Sequence, residues 1–250
     1  MATGKKGELR VFGAGPKGPS QLTLDALEGI KGCDAAFGTV FPDELAAFCA
    51  GLGVKYTPLT WGGNLAQSQL KTSPGGGDSD AVHAALFPRL SKGETVGLIV
   101  DGHPAVFCFA TGLAAEARAA GYATRTWAAI GALDEILAGL PPETAAALEP
   151  GFTVFSLLTP GASAHGFSPA LPALLFNVGH LFRARRADFD AFLRDLVGRA
   201  GAREEVLLVE CVPGGRNERR CALEDLPKEL PFIGVNATAV LLRPSGGKAA

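Results

Sequence analysis

The sequence predicts an α/β protein of two domains, a larger one on a mostly parallel sheet and a smaller one richer in strand. Three observations lead there. From Leu9 to Leu140, short β-rich apolar runs alternate with segments of helical periodicity, the pattern of a sheet covered by helices on both faces. The run Thr95 to Val100 stops abruptly at Asp101-Gly102-His103-Pro104, as a buried strand does at the carboxyl edge of an open sheet. Between Glu149 and Pro172 the character changes to a Gly-, Ser- and Pro-containing stretch, and strands dominate afterwards. The expected domains are residues 1–145 and 150–250.

Taken in order, Leu9 to Phe12 reads as a strand that runs into Gly13-Ala14-Gly15-Pro16-Lys17-Gly18-Pro19-Ser20. Gly13, Gly15 and Gly18 have the spacing of a phosphate-cradling loop, but Pro16 and Pro19 remove backbone donors and break the helix start that would hold a pyrophosphate. The loop is expected instead to turn the chain over the sheet edge. Thr23 caps a helix whose Leu24, Ala26, Leu27 and Ile30 share a face. Cys33 to Thr39 reads as strand, Asp43 to Leu52 as helix and Val54 to Leu59 as extended chain. Trp61 to Asp80 is polar and Gly-rich, long enough to be a candidate substrate lid. A helix is expected over Ser79 to Leu90, then the strand Thr95 to Val100 and a helix from Ala105 to Ala120. Ala123 to Trp127 reads as strand, and Leu133 to Leu140 as a helix ended by Pro141-Pro142. In the second domain, Phe152 to Leu158 and Ala173 to Val178 are expected strands. A helix follows over Asp188 to Ala200 with apolar positions 189, 192, 193, 196 and 197. Glu205 to Val212 reads as strand, Asn217 to Leu223 as an exposed edge, and Phe232 to Leu242 as one or two final strands.

The chain has 250 residues, 47% of them hydrophobic, and a net charge of −2, which excludes a disordered chain and gives no reason to expect nucleic acid. The local basic cluster Arg183, Arg185, Arg186 reads as a solvated face, with an acidic substrate as the alternative. No apolar run is long enough to span a membrane, and MATGKKGELR lacks the apolar core of a secretory signal, so a cytoplasmic protein is expected. The five cysteines lack CxxC spacing and read as small buried hydrophobes rather than a disulfide framework or a metal site.

Four stretches carry a resemblance to a known family: Leu9 to Phe37, with its GxGP loop and Leu-Thr-started helix; Glu94 to Phe107, with Gly-His-Pro-x-x-Phe; Gly121 to Ala132, placed where a Pro-Gly-x-Ser-Ala turn usually stands; and Arg219 to Leu242. Together they resemble the tetrapyrrole methylases, the class of S-adenosylmethionine-dependent methyltransferases with two α/β domains, the second on a smaller mixed sheet, and the cofactor in a cleft between them. The histidine of Gly102-His103-Pro104 is nearer the borosin-type branch, which N-methylates peptide backbones. The Tyr before the Gly in that branch is Asp101 here. Its catalytic Tyr and Arg fall near Ser79 and Gly75, so that set is not recognisable, and Tyr occurs only at 56 and 122.

The resemblance implies S-adenosylmethionine as cofactor, contacted by Gly13, Asp101, Gly102, His103, Pro104, Val106, Phe107, Ile130, Gly131, Ala132, Asn177, Asn236, Ala237 and Thr238. Asp101 and His103 are the candidate catalytic groups, since methyl transfer needs alignment and, for some acceptors, removal of a proton. His83 and His165 read as surface groups. The expected function is N-methylation of a peptide or natural-product precursor. The alternatives are a corrin-pathway C-methyltransferase and a non-catalytic member that binds cofactor or a partner. Homodimerisation is implied by the same resemblance, and no metal, nucleic acid or membrane is expected.

Overall fold

The computed structural model describes residues 6–59, 78–158, 167–168 and 171–242. Contacts divide the chain into two units, Met1–Glu135 and Ile136–Ala250, a division that comes earlier than the expected limits at 145 and 150.

The first unit is an alternation of strands and helices: β1 (Glu8–Gly13), α1 (Leu24–Lys31), β2 (Ala35–Gly38), α2 (Pro42–Gly51), β3 (Tyr56–Pro58), α3 (Asp78–Leu90), β4 (Thr95–Val100), α4 (Ala110–Ala119), β5 (Ala123–Thr126) and α5 (Ala132–Ala138), the last of which crosses the division. All the strands are parallel, in the order β3-β2-β4-β1-β5. Every residue of β4 is buried, because a central parallel strand is covered on both faces. Alternate residues serve opposite cores. Leu9, Val11, Leu98 and Val100 pack with Leu86, Leu90 and Leu113 of α3 and α4. Phe12, Ala36 and Ile99 pack with Ala26, Ile30, Leu45 and Cys49 of α1 and α2. β4 and β1 are neighbours, yet the chain leaving β1 goes to β2 on one side and the chain leaving β4 goes to β5 on the other. Their loops therefore meet at a topological switch point, where open sheets bind ligands.

Several expectations hold in detail. The Thr23 hydroxyl oxygen accepts a hydrogen bond from Ala26 N at 3.2 Å and caps α1. β4 has the expected limits. Others need correction. The helix expected from Ala105 starts at Ala110, because Phe107 adopts a left-handed conformation (φ 51°) and His103 to Val106 form a turn. Pro142 does not only end a helix: as the first residue of α6 (Pro142–Leu148) it starts another, its fixed φ suiting that position. The loop after β1 does not lie at an edge, since β1 is flanked by β4 and β5. Of the candidate lid, Trp61 to Asp80, residues 61–77 lie outside the described residues and 78–80, Ser79 among them, belong to α3.

The second unit holds α6, β6 (Thr153–Ser156), β7 (Ala173–Phe176), α7 (Val178–Ala184), α8 (Arg186–Ala200), β8 (Glu205–Val212), β9 (Gly215–Ala222), the short helix α9 (Leu226–Glu229) and β10 (Thr238–Leu241). Its sheet is mixed, in the order β6-β7-β10-β8-β9, with only β6 and β7 parallel. Phe189, Phe192 and Leu196 of α8 are buried with Leu175, Val206, Leu208 and Ala239, and Leu193 and Val197 pack at the margin, as the helical spacing requires. β9 is the exposed edge expected.

Two segments differ from expectation. The strand ending at Val178 stops at Phe176, and Asn177 (φ 65°) turns the chain into α7. The final strand is only Thr238–Leu241. The residues before it form helical turns, because Leu223, Leu226 and Leu230 recur at helical spacing and all enter the core. The basic cluster is consumed internally. Arg183 donates to the carbonyls of Leu230 (3.0 Å) and Ile233 (2.5 Å), Arg185 pairs with Asp188, and Arg186 pairs with Asp190. All five cysteines are free; Cys33 and Cys49 are buried as expected, whereas Cys108, Cys211 and Cys221 are only partly buried. Among the described residues, no helix is long and apolar enough to cross a membrane.

Candidate active site

Three loops converge at the carboxyl ends of β1, β4 and β5. Gly13 is the meeting point. A Cβ added there would run into the Gly102 carbonyl oxygen and stand 2.7 Å from Ala129 Cβ and 2.9 Å from Pro104 Cδ, so only glycine allows the approach. Gly131 permits a second close approach, this time to the histidine. A Cβ there would stand 3.1 Å from His103 Cβ, while its N–H donates to the Asp134 carboxylate at 2.6 Å and so caps α5. Gly13, Gly102, His103, Pro104 and Gly131 are thus brought close together, with Ile130 and Ala132 flanking Gly131. Ala129, which the sequence reading leaves out of the site, belongs to the same contact.

Asp101 ends the central strand. Its Oδ1 is buried with no hydrogen-bond partner among the described residues, an unusual state for a carboxylate oxygen. Burial pushes its carboxyl up to about 6, against the pull of a hydrogen bond from the Gly102 N–H. The next residue, Gly102 (φ 58°), has nothing among the described residues within 4 Å of where a Cβ would be, so the carboxylate's own loop leaves space there. Behind it, burial lifts the Cys108 thiol to about 11, the Ala110 N–H opposing and the Asp101 charge adding to the rise. That thiol stays protonated and inert.

His103 is placed differently. Its Nδ1 accepts a hydrogen bond from Ala105 N at 3.1 Å, and the turn is closed by Val106 N donating to His103 O at 3.1 Å. The neutral ring then carries its proton on Nε2, and its lone pair is committed to the backbone. Of the two candidate bases, only Asp101 keeps free acceptor capacity. Val106 and Phe107 are exposed, 40% and 49%, so Phe107 is not a core residue.

The loop after β1 is not a phosphate cradle. Pro19–Gln21 forms a 3-10 turn and α1 begins only at Leu24, so no helix N-terminus faces Gly13. The loop is held from within: Lys17 N donates to the Gln21 Oε1 at 2.8 Å, and the Gln21 side chain is buried.

The remaining expected residues lie in the second unit, around the carboxyl ends of β6 and β7. Asn177 is partly buried and its Nδ2 donates to the Ser156 hydroxyl at 3.4 Å. Asn236 is exposed and its side chain hydrogen-bonds His180. Ala237 and Thr238 are 0% and 1% exposed, and Ala237 belongs to the core. Their side chains cannot line an open site, which corrects their expected role to a backbone one at most. His180, missed by sequence reasoning, is buried. Desolvation lowers its pKa, the Asn236 hydrogen bond opposing and the Arg183 charge adding, and its Nδ1 has no partner among the described residues. Nothing in VGHLF distinguishes it from a core histidine. His83 is exposed and stacks on Phe87, and His165 lies outside the described residues. A hollow lined by Ala200, Arg203, Glu204 and Glu205 contains none of the expected site residues.

Known structures share this architecture. The chain is similar to uroporphyrin-III-C-methyltransferase from Thermus thermophilus (TM-score 0.67, 20% identity, 95% of this chain and 92% of that one). It is similar to the same enzyme complexed with S-adenosyl homocysteine (TM-score 0.66, 20% identity, 94% and 91%). It is also similar to the methyltransferase CobJ (TM-score 0.63, 16% identity, 98% and 97%). At these identities the likeness establishes the fold. No curated protein matches the chain by sequence. The family model for Tetrapyrrole (Corrin/Porphyrin) Methylases matches residues 8–195, three quarters of the sequence, and the chain belongs to that family.

Proposed function

We propose that this methyltransferase transfers the methyl group of S-adenosylmethionine to a carbon of a corrin- or porphyrin-type macrocycle, with Asp101 as the proton acceptor. Family membership supports the reaction type, and the similar structures include a uroporphyrin-III C-methyltransferase and one of its complexes with S-adenosyl homocysteine. The single observation that carries the site is the buried, unpartnered Oδ1 of Asp101 at the switch point.

The residues present fit such a cofactor. A carboxylate with unused acceptor capacity suits a cationic sulfonium or an ammonium group, and Gly102 leaves space where a side chain would block approach. When bound, S-adenosylmethionine supplies a methyl group already activated by its sulfonium. The chain's role is to hold donor and acceptor in line and to take the proton that the acceptor carbon loses. With its carboxyl near 6, Asp101 is ionised at neutral pH and more basic than an exposed aspartate, a better match for proton removal. The His103 turn fixes the loop that carries it.

Peptide N-methylation is a second reading, carried by the Gly102-His103-Pro104 sequence alone. In this structure the histidine has a sufficient local reason, its hydrogen bond from Ala105. The deciding experiment incubates the protein with S-adenosylmethionine and uroporphyrinogen III, and separately with an unstructured peptide, and reads mass gains of one methyl group. Methylated macrocycle supports the proposal. Methylated peptide alone overturns it in favour of the second reading. Failure to bind either S-adenosylmethionine or S-adenosylhomocysteine points to a non-catalytic member.

A further inference from the structure

The loops at the carboxyl edge of the first sheet are joined by glycine contacts and by one polar knot that neither the family nor the motifs account for. Glu135 stands one turn into α5, its N–H donating to Gly131 O at 3.2 Å. Its Oε1 accepts from the Gln21 amide, and its Oε2 pairs with the Lys17 ammonium. Gln21 closes the triangle by accepting from Lys17 N with its Oε1. These three side chains come from positions 17, 21 and 135, so they tie the loop after β1 to the loop after β5. The knot is sheltered: Gln21 is 8% exposed, and the Lys17 and Glu135 side chains are 30% and 19% exposed. Close by, Gly15 (φ 72°) has no room for a side chain, since a Cβ would run into Gln21, so the loop is packed against its own clamp.

We propose that Glu135 is a positioning residue, which acts through Lys17 and Gln21 to fix the Gly13–Gly18 loop against the Asp101–Pro104 and Ala128–Gly131 loops in the geometry that binds cofactor. This rests on the reading of these loops as the cofactor site. The physical reason is entropic. A loop of three glycines and one proline, without a regular hydrogen-bond ladder, has many accessible arrangements. A bidentate carboxylate that restrains it from two directions lowers the ordering cost charged to binding. Charge-assisted bonds are the stronger kind, so a partly sheltered glutamate suits this role better than a neutral group. The substitution Glu135→Gln keeps an acceptor for the Gln21 amide and removes the charge that holds Lys17. The substitution Glu135→Ala removes both.

The test uses the full chain and two readouts: calorimetric titration with S-adenosylhomocysteine, and amide hydrogen exchange of residues 14–18 in the free protein. In Glu135→Ala, exchange of the loop is expected to rise about tenfold and affinity to fall about tenfold, with Glu135→Gln showing about half of each effect on a logarithmic scale. Lys17→Met and Glu135→Gln combined are expected to cost no more than either alone, because they break the same ion pair. A purely structural role would lower the melting temperature without this affinity pattern. Unchanged loop exchange in Glu135→Ala overturns the clamp. Faster exchange with unchanged affinity overturns the positioning role. Absence of binding by the native protein sinks the cofactor reading itself and removes the positioning role with it, while the exchange data still report whether the clamp restrains the loop.

Discussion

Two sheltered carboxyl groups, one in each unit, stand in opposite situations: Glu210 is buried, and Asp101 is partly buried with its Oδ1 enclosed. Glu210, in β8, is 8% exposed and accepts the Gly234 N–H at 2.8 Å, and its carboxylate occupies the place a side chain at 234 would need. It pins the turn before β10, which Arg183 grips from the Ile233 carbonyl. Asp101, just after β4, keeps an Oδ1 that nothing among the described residues satisfies. The groups are chemically alike and each accepts one backbone N–H, but only Asp101 also encloses an oxygen without a hydrogen-bond partner among the described residues. Burial alone therefore does not mark a functional acid. Burial with unspent hydrogen-bonding capacity, beside open space, does.

The largest expected effect separates the two directly. Asp101→Asn should lower the single-turnover rate of methyl transfer about a hundredfold or more, while leaving the urea midpoint the same or higher. A rate within threefold of the native one would remove Asp101 as the base. Glu210→Ala should do the reverse. It leaves the partly buried Gly234 N–H unpaired and opens a void, and should cost about 2–3 kcal/mol in urea denaturation. A loss under 0.5 kcal/mol would mean that the turn before β10 needs no pin.

A smaller, sharper effect is pH-dependent. The Asp101 carboxyl is raised from its ordinary 3.8 to about 6, so its contribution to stability is complete below 3.8 and is lost as pH rises through about 6. Asp101→Asn should flatten the stability profile across that window. Ligand preference should move in the opposite sense. As pH rises from 5 to 7, the ionised carboxylate should favour the sulfonium of S-adenosylmethionine over the neutral thioether of S-adenosylhomocysteine, raising the affinity ratio several-fold. A ratio independent of pH would place the sulfonium away from Asp101. Least of all, Arg220→Ala breaks only an exposed pair with Glu205 and should change stability by less than about 0.5 kcal/mol.

The sequence is legible where one local rule decides the outcome. β4 and β8 match their apolar runs, α8 buries the residues its spacing selects, and Thr23 caps as its position suggests. It misleads where two rules compete. The apolar string after Pro104 looks helical, but Phe107 in a left-handed conformation keeps it in the loop to Ala110. Pro142 reads as a stop and is also a start. Of the site, the glycines and Asp101 could be read from a strand that ends in a polar turn. Gln21, Glu135 and His180 could not, because each matters through a partner far along the chain or through what it lacks, and neither leaves a mark on the neighbouring sequence.

The strand order of the first sheet also has a consequence for synthesis. β1 lies between β4 and β5, pairing Glu8 with Thr95 on one side and with Ala123 on the other. As the chain leaves the ribosome, its first strand waits without a neighbour until Val100 has emerged, and without its second until Thr126 has. The later hairpin of β8 and β9 meets no such delay, since its partners follow each other directly. Distant pairing is slow and exposes apolar edges meanwhile. The nascent amino-terminal half is thus the segment that a chaperone would have to shield, and its closure is the step at which the loops of the active site first come into being.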